Sequence, residues 1–132
     1  MAKTTNYTAD LLKLAGELPA KIAELEASIQ AVDKRMAELK AAGLIYATEH
    51  WRKDAAGEPK FLYLLYPSRA GEKRRRDYVG SDPAKVAEAR AGIARAQEYD
   101  QLADQQRGLT GRVYHVSSDL ERAHLHISGR SW

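Results

Sequence analysis

The chain has 132 residues, about the size of one ordinary domain, with 44% hydrophobic and 30% charged residues and a net charge of +3. That balance excludes wholesale disorder and suits a protein with much exposed helix surface. The absence of cysteine excludes disulfides, thiolate zinc sites and cysteine nucleophiles.

Residues 1–6 are polar and no signal-like apolar region follows them, so a cytoplasmic location is expected. No apolar run reaches the roughly 18 residues of a membrane span. Charge is unevenly spread. Residues 1–43 hold six basic and six acidic side chains, and residues 81–132 hold seven of each. Residues 44–80 hold eight basic ones (Arg52, Lys53, Lys60, Arg69, Lys73, Arg74, Arg75 and Arg76) against five acidic, so the whole excess sits there. Six of the ten aromatics share that segment: Tyr46, Trp51, Phe61, Tyr63, Tyr66 and Tyr78.

The expected organisation is one domain over 1–132. It comprises a helical arm at 8–42, a basic β-meander at 44–80, a second helical arm at 83–127 and a tail at 128–132. In the first arm, Leu11, Ala15, Leu18, Ile22, Leu25, Ile29, Val32, Met36 and Leu39 recur at spacings of three and four. This is a coiled-coil-like seam, with Lys21, Glu24, Glu26, Lys34, Arg35 and Glu38 on the solvated faces. Pro19 interrupts it, which predicts either a short helix over 8–17 before a longer one or a kinked single helix. Gly43 suits the left-handed position that ends a helix.

In the middle, 44–53 and 61–69 are rich in β-branched and aromatic residues and are separated by turn chemistry at 54–59. A second turn over 67–72 leads to a short third strand at 73–79. Alternation places Arg74, Arg76 and Tyr78 on one face and Arg75, Asp77 and Val79 on the other. The last arm starts with Ser81 or Asp82 as cap and Pro83 in the first helical position. Its stripe runs through Val86, Ala89, Ile93 and Ala96, then from Tyr99 and Leu102 to Leu109, Val113, Val116, Leu120 and Ile127. Gly108 and Gly111 mark a break or a close helix crossing. The class is α+β, mainly α: an antiparallel long-helix hairpin with a three-stranded meander inserted between the helices.

The sharpest chemical cluster is Lys73-Arg74-Arg75-Arg76 followed by Tyr78. Guanidinium groups pair phosphates through charge-assisted bonds, and neighbouring aromatics stack on bases or sugars. The competing reading is a solvated edge strand that uses charge against aggregation. The candidate nucleic-acid-binding residues are Arg52, Lys53, Lys73, Arg74, Arg75, Arg76, Tyr78, Trp51 and Tyr63. No phosphate loop, Ser–His–Asp set or carboxylate pair stands out, and His124 and His126 end a helix, where positions two apart diverge. Neither catalysis, a metal nor a cofactor is expected.

The run 61–66, then 71–76, Tyr78-Val79-Gly80, and Pro83 through Glu88-Ala89-Arg90-Ala91 resembles the arm-type DNA-binding domain of phage tyrosine integrases. It is also similar to small phage and plasmid proteins that place a β-hairpin before a long helix. The resemblance covers 60–97. It implies a three-stranded sheet that enters the DNA major groove, with a helix packed behind it and no catalytic residue. The long N-terminal helix has no counterpart in the integrase domain.

The expected function is that of a non-catalytic nucleic-acid-binding accessory protein of a mobile element, phage or plasmid. Its partner would be duplex DNA first, with self-association into a homodimer through the helices. The alternative is a protein-interaction module, such as a phage-encoded inhibitor or a small subunit of a larger protein or ribonucleoprotein complex.

Overall fold

The two segments with three-and-four spacing fold as helices, and the aromatic stretch between them folds as a sheet. The computed structural model describes residues 7–68 and 71–130. In chain order these form α1 (Tyr7–Ala42), β1 (Thr48–Lys53), β2 (Pro59–Leu65), β3 (Arg76–Gly80) and α2 (Pro83–Ile127). The sheet is antiparallel in the order β1-β2-β3, a meander, and the class is the expected α+β, mainly helical. Arg69 of the expected second strand, together with Ala70, lies outside the described residues, as do residues 1–6, Ser131 and Trp132.

Both helices run through the positions that predicted interruptions. Helix α1 continues through Pro19, so the two-helix alternative is corrected to one helix. Proline in a helix interior costs about 3 kcal/mol, but propagation of helix on both sides adds one bond per residue fixed. Helix α2 likewise continues through Gly108 and Gly111, and a Cβ built at either would meet nothing within 4 Å. Neither a break nor a close crossing occurs there. The termini follow the expected chemistry. Gly43 has φ of 109° and donates its N–H to Leu39 O at 3.1 Å. Asp82 caps α2, its carboxylate accepting the Ala84 N–H at 3.3 Å ahead of Pro83.

Contacts gather into two units. One is Arg35–Asp104; the other holds the remaining described residues, 7–34 and 105–130. In the second unit the helical segments are antiparallel. Gln106 donates to Asp33 at 2.6 Å, Leu109 shares a groove with Ser28 and Val32, and Leu120 shares one with Ile22.

The Arg35–Asp104 unit contains the core. Leu62, Leu64 and Ala89 are buried together, with Ile45, Ala47, Trp51, Tyr66, Val79, Val86 and Ile93 packed around them. The first turns of α2 thus cover one face of the sheet. Residues 44–47, expected to begin the first strand, instead belong to a loop laid on α2. Ile45 donates its N–H to Gly92 O at 3.1 Å, and Arg95 Nε donates to Gly43 O at 2.7 Å. A backbone committed to the helix cannot also join the ladder, so β1 begins only at Thr48.

The other strand ends shift for equally local reasons. Tyr66 still donates to Arg75 O at 2.9 Å, but Pro67 has no N–H to offer. The ladder therefore stops at Leu65, and the expected third strand shortens to Arg76–Gly80. Near the end of α1, Arg35 donates to Glu98 through Nε at 2.6 Å and Nη2 at 3.0 Å. These bonds hold the Glu98 carboxyl below the usual carboxylate range and raise the guanidinium of Arg35.

A Cβ at Gly92 would overlap Ile45, whose Cγ1 would lie 2.7 Å and whose Cβ would lie 3.3 Å from it. Ile45 is held to Gly92 by its own backbone, so it has little room to retreat. Overpacking costs about 1–3 kcal/mol, more than the roughly 1 kcal/mol that Ala gains over Gly in a helix. Gly92→Ala is therefore expected to lower Tm, whereas Gly108→Ala and Gly111→Ala, with open space around the new methyl, are expected to raise it. Melts followed by circular dichroism check this, and a rise for Gly92→Ala would contradict the packing described.

Candidate nucleic-acid interface

Period-two alternation, read through the strand register, sorts the side chains of the sheet onto two faces. Leu62 and Leu64 face α2, so their partners Trp51, Glu49 and Asp77 share that side. Phe61 and Tyr63 point the other way. Opposite them stand Arg52 across from Phe61, and His50 and Tyr78 across from Tyr63; Arg76 is two residues before Tyr78 in β3. Phe61 and Tyr63 on this face are half-buried, and His50, Arg52, Arg76 and Tyr78 are exposed. The register slips between Leu62 and Tyr63, leaving Val79 as a bulge that packs inward while Tyr78 keeps its outward place.

Sorting by face is also sorting by charge. Of the five acidic residues between positions 44 and 80, none stands on the outward face. Glu49 lies on the helix side and pairs with Arg90 of α2 at 2.8 Å. Asp77 lies on the same side and pairs with Arg75 at 3.0 Å. Asp54 closes the β1–β2 turn, its carboxylate accepting the N–H groups of Ala56 at 2.9 Å and Glu58 at 3.0 Å. Glu58 and Glu72 lie in the loops. Among the described residues, Arg52 and Arg76 have no carboxylate partner. Such guanidinium groups carry an undiminished charge toward solvent.

The outward aromatics are arranged around those cations. The Tyr63 and Tyr78 rings lie 5.0 Å apart at 44°, and the Arg76 guanidinium lies over Tyr63 at 5.9 Å. Lys60, beside the Arg52/Lys53 bulge, lies over Phe61 at 5.8 Å.

The remaining expected site residues are dispersed. Lys53 ends β1 opposite Pro59, beyond that bulge. Lys73 and Arg74 precede β3 rather than lying in it, and Arg74 Nε donates to Tyr66 O at 2.9 Å. Arg75 is engaged by Asp77 and stacks over Tyr66 at 4.5 Å. Burial, with Asp77 adding to it, pushes the Tyr66 phenol up. The expected placement of Arg76 and Tyr78 on one face, opposite Asp77 and Val79, is what the sheet shows.

Trp51 stands apart from the other candidates, on the helix side of the sheet. It pairs with buried Leu62, packs on the core, and is covered by Arg90 at 5.4 Å while its Nε1 donates to Glu49 at 3.3 Å. Its ring faces α2 and is not on the outward face. Conversely, His50, Lys60 and Phe61 were not among the expected site residues. Counting back by two from Arg52 finds His50, and by two from Tyr63 finds Phe61.

Among the described residues no group of His, Asp or Glu is placed to hold a metal ion, and no helix is long and apolar enough to cross a membrane.

Because Trp51 is half-buried against the core, Trp51→Ala is expected to cost about 2 kcal/mol, somewhat below the range for a fully buried aromatic. Tyr78, 61% exposed, should cost less than about 1 kcal/mol on the same change. Urea unfolding of both variants measures this, and equal losses would overturn the assignment of faces. Set against protein-family models, curated proteins and solved structures, the chain matches none of them.

Proposed function

We propose that this chain is a non-catalytic nucleic-acid-binding accessory protein of a mobile element, acting in the cytoplasm, that lays the outward face of its sheet on duplex DNA. The observation that carries this reading is the sorting of charge. Arg52 and Arg76 share a face with Tyr63, Tyr78, Phe61 and His50, while Glu49 and Asp77 are turned away and neutralised by other arginines. A sheet needing only a solubilising surface has no reason to separate the two signs by face.

Three strands at about 4.8 Å spacing put roughly 10 Å between the outer two. That is the separation of the backbones alone, beside a major groove about 12 Å wide. Guanidinium groups there would meet phosphates, and the tyrosines would lie on sugars or base edges. The resemblance of residues 60–97 to the arm-type domain of phage tyrosine integrases points to the same use of such a sheet.

Each phosphate contact on duplex DNA adds about 0.9 to the slope of log K against log salt. Replacing Arg52 and Arg76 together by Ala should flatten that slope by about 1.8 units, whereas Arg75→Ala, already paired with Asp77, should change it little. Tyr63→Ala should weaken binding with the slope kept, since a ring lying on sugars or base edges neutralises no phosphate. Fluorescence anisotropy on random duplex DNA over a salt series reads all three. Wild-type binding that is absent or salt-insensitive would reject this function and favour a protein partner.

A further inference from the structure

The unit made of 7–34 and 105–130 has no buried side chain among its described residues. Met36, Leu39, Leu62, Leu64, Ala89 and Ala96 all belong to the other unit. Its helices nevertheless carry aliphatic stripes. Ile22 is 44% exposed, Val113 42%, Val116 36% and Leu120 40%, and these four line one groove with Leu25 and Ile29. These side chains form one contiguous apolar strip along the groove rather than scattered single residues.

We propose that this groove docks on the same groove of a second copy of the chain, giving a four-helix bundle centred on Ile22, Val113, Val116 and Leu120. Two observations select a second copy. The first is charge. The α1 segment 7–34 has three basic residues (Lys13, Lys21, Lys34) against five acidic (Asp10, Glu17, Glu24, Glu26, Asp33). The α2 segment 105–130 has four basic (Arg107, Arg112, Arg122, Arg130) against two acidic (Asp119, Glu121). The described residues 7–34 and 105–130 therefore sum to zero, so they set no net repulsion between two copies, and the two arms are opposite in sign. A two-fold interface is isologous, so laying α1 of one copy on α2 of the other sets acidic arm against basic arm twice.

The second observation is size. At 1.5 Å per residue the 105–127 segment of α2 runs roughly 35 Å, and two packed helices are about 20 Å wide. A face of about 700 Å² is close to the roughly 800 Å² per partner of a standard stable interface. Antiparallel helix pairs with three-and-four stripes are also what a four-helix bundle is built from. Met36, which the sequence places in the same stripe, is only 8% exposed within the other unit and stands outside this surface.

The test uses the full chain without nucleic acid, so its outcome is independent of the DNA-binding reading. Sedimentation equilibrium should give twice the 14.7 kDa chain mass. Val116→Glu with Leu120→Glu should raise the dissociation constant at least about ten-fold, equivalent to about 1.4 kcal/mol. Because that variant could fail to fold, a single cysteine is placed in the cysteine-free chain. Val116→Cys should cross-link to a dimer with a short bis-maleimide, whereas Ala55→Cys in the β1–β2 turn should not. A single-chain mass up to about 100 µM, a weak affinity by any scale, or equal cross-linking of the two cysteine variants, would overturn the proposal.

Discussion

The architecture of the sheet unit turns on the close approach of a loop to a helix at Gly92. Without a Cβ there, Ile45 lies directly against α2, and its N–H reaches the Gly92 carbonyl at 3.1 Å. Arg95 adds a second tie to Gly43 at 2.7 Å. These bonds hold the chain against α2 before β1 begins. They fix where β1 starts and therefore which of its residues point toward Leu62 and Leu64. A one-residue shift in that start would exchange the two faces. Trp51 and Glu49 would then point outward, and His50 and Arg52 would be forced toward an apolar helix surface.

Once the faces are fixed, the electrostatics follow from alternation alone. The sequence places its charges at positions whose parity decides their partners. Glu49 meets Arg90 because both lie between sheet and helix, and Asp77 meets Arg75 on the same side. Exposed pairs of this kind contribute little to stability, typically under about 1 kcal/mol. Their larger effect is on the field of the protein. They remove negative charge from the neighbourhood of Arg52 and Arg76 without adding any to the outward face. A segment with an excess of only three positive charges thus presents a surface with no carboxylate on it.

The parts of this arrangement legible in the sequence are those set by local chemistry. Gly43 ends α1 and Asp82-Pro83 begins α2 as their types dictate, and the three-part division follows from periodicity and composition. The rest depends on more than the type of the local residue. Pro19, Gly108 and Gly111 each weaken a helix locally, but long helical runs on both sides carry the helix across them. The ends of the strands depend on hydrogen bonds to Gly92 and on what Pro67 cannot donate, neither of which is a property of the strand itself. Trp51 looked like a stacking residue by type. Its place follows from the register with Leu62, and aromatic composition contains no register.

The division of apolar surface between the two units separates two physical roles. In the Arg35–Asp104 unit, Leu62 and Leu64 are almost wholly removed from water, at 0% and 4% exposure. This packing is the base beneath Arg52, Arg76 and the two tyrosines, and side-chain positions on a twisted sheet are only as rigid as the packing beneath them. In the other unit Ile22, Val113, Val116 and Leu120 remain 36–44% exposed along one groove. Two helices alone can bury only the line along which they touch, so stripes wider than that line stay partly wet until another layer covers them. The chain thus places a finished core under its charged face and leaves its unfinished one where aliphatic side chains are flanked by arms of opposite sign. That is the surface on which the proposed self-association rests.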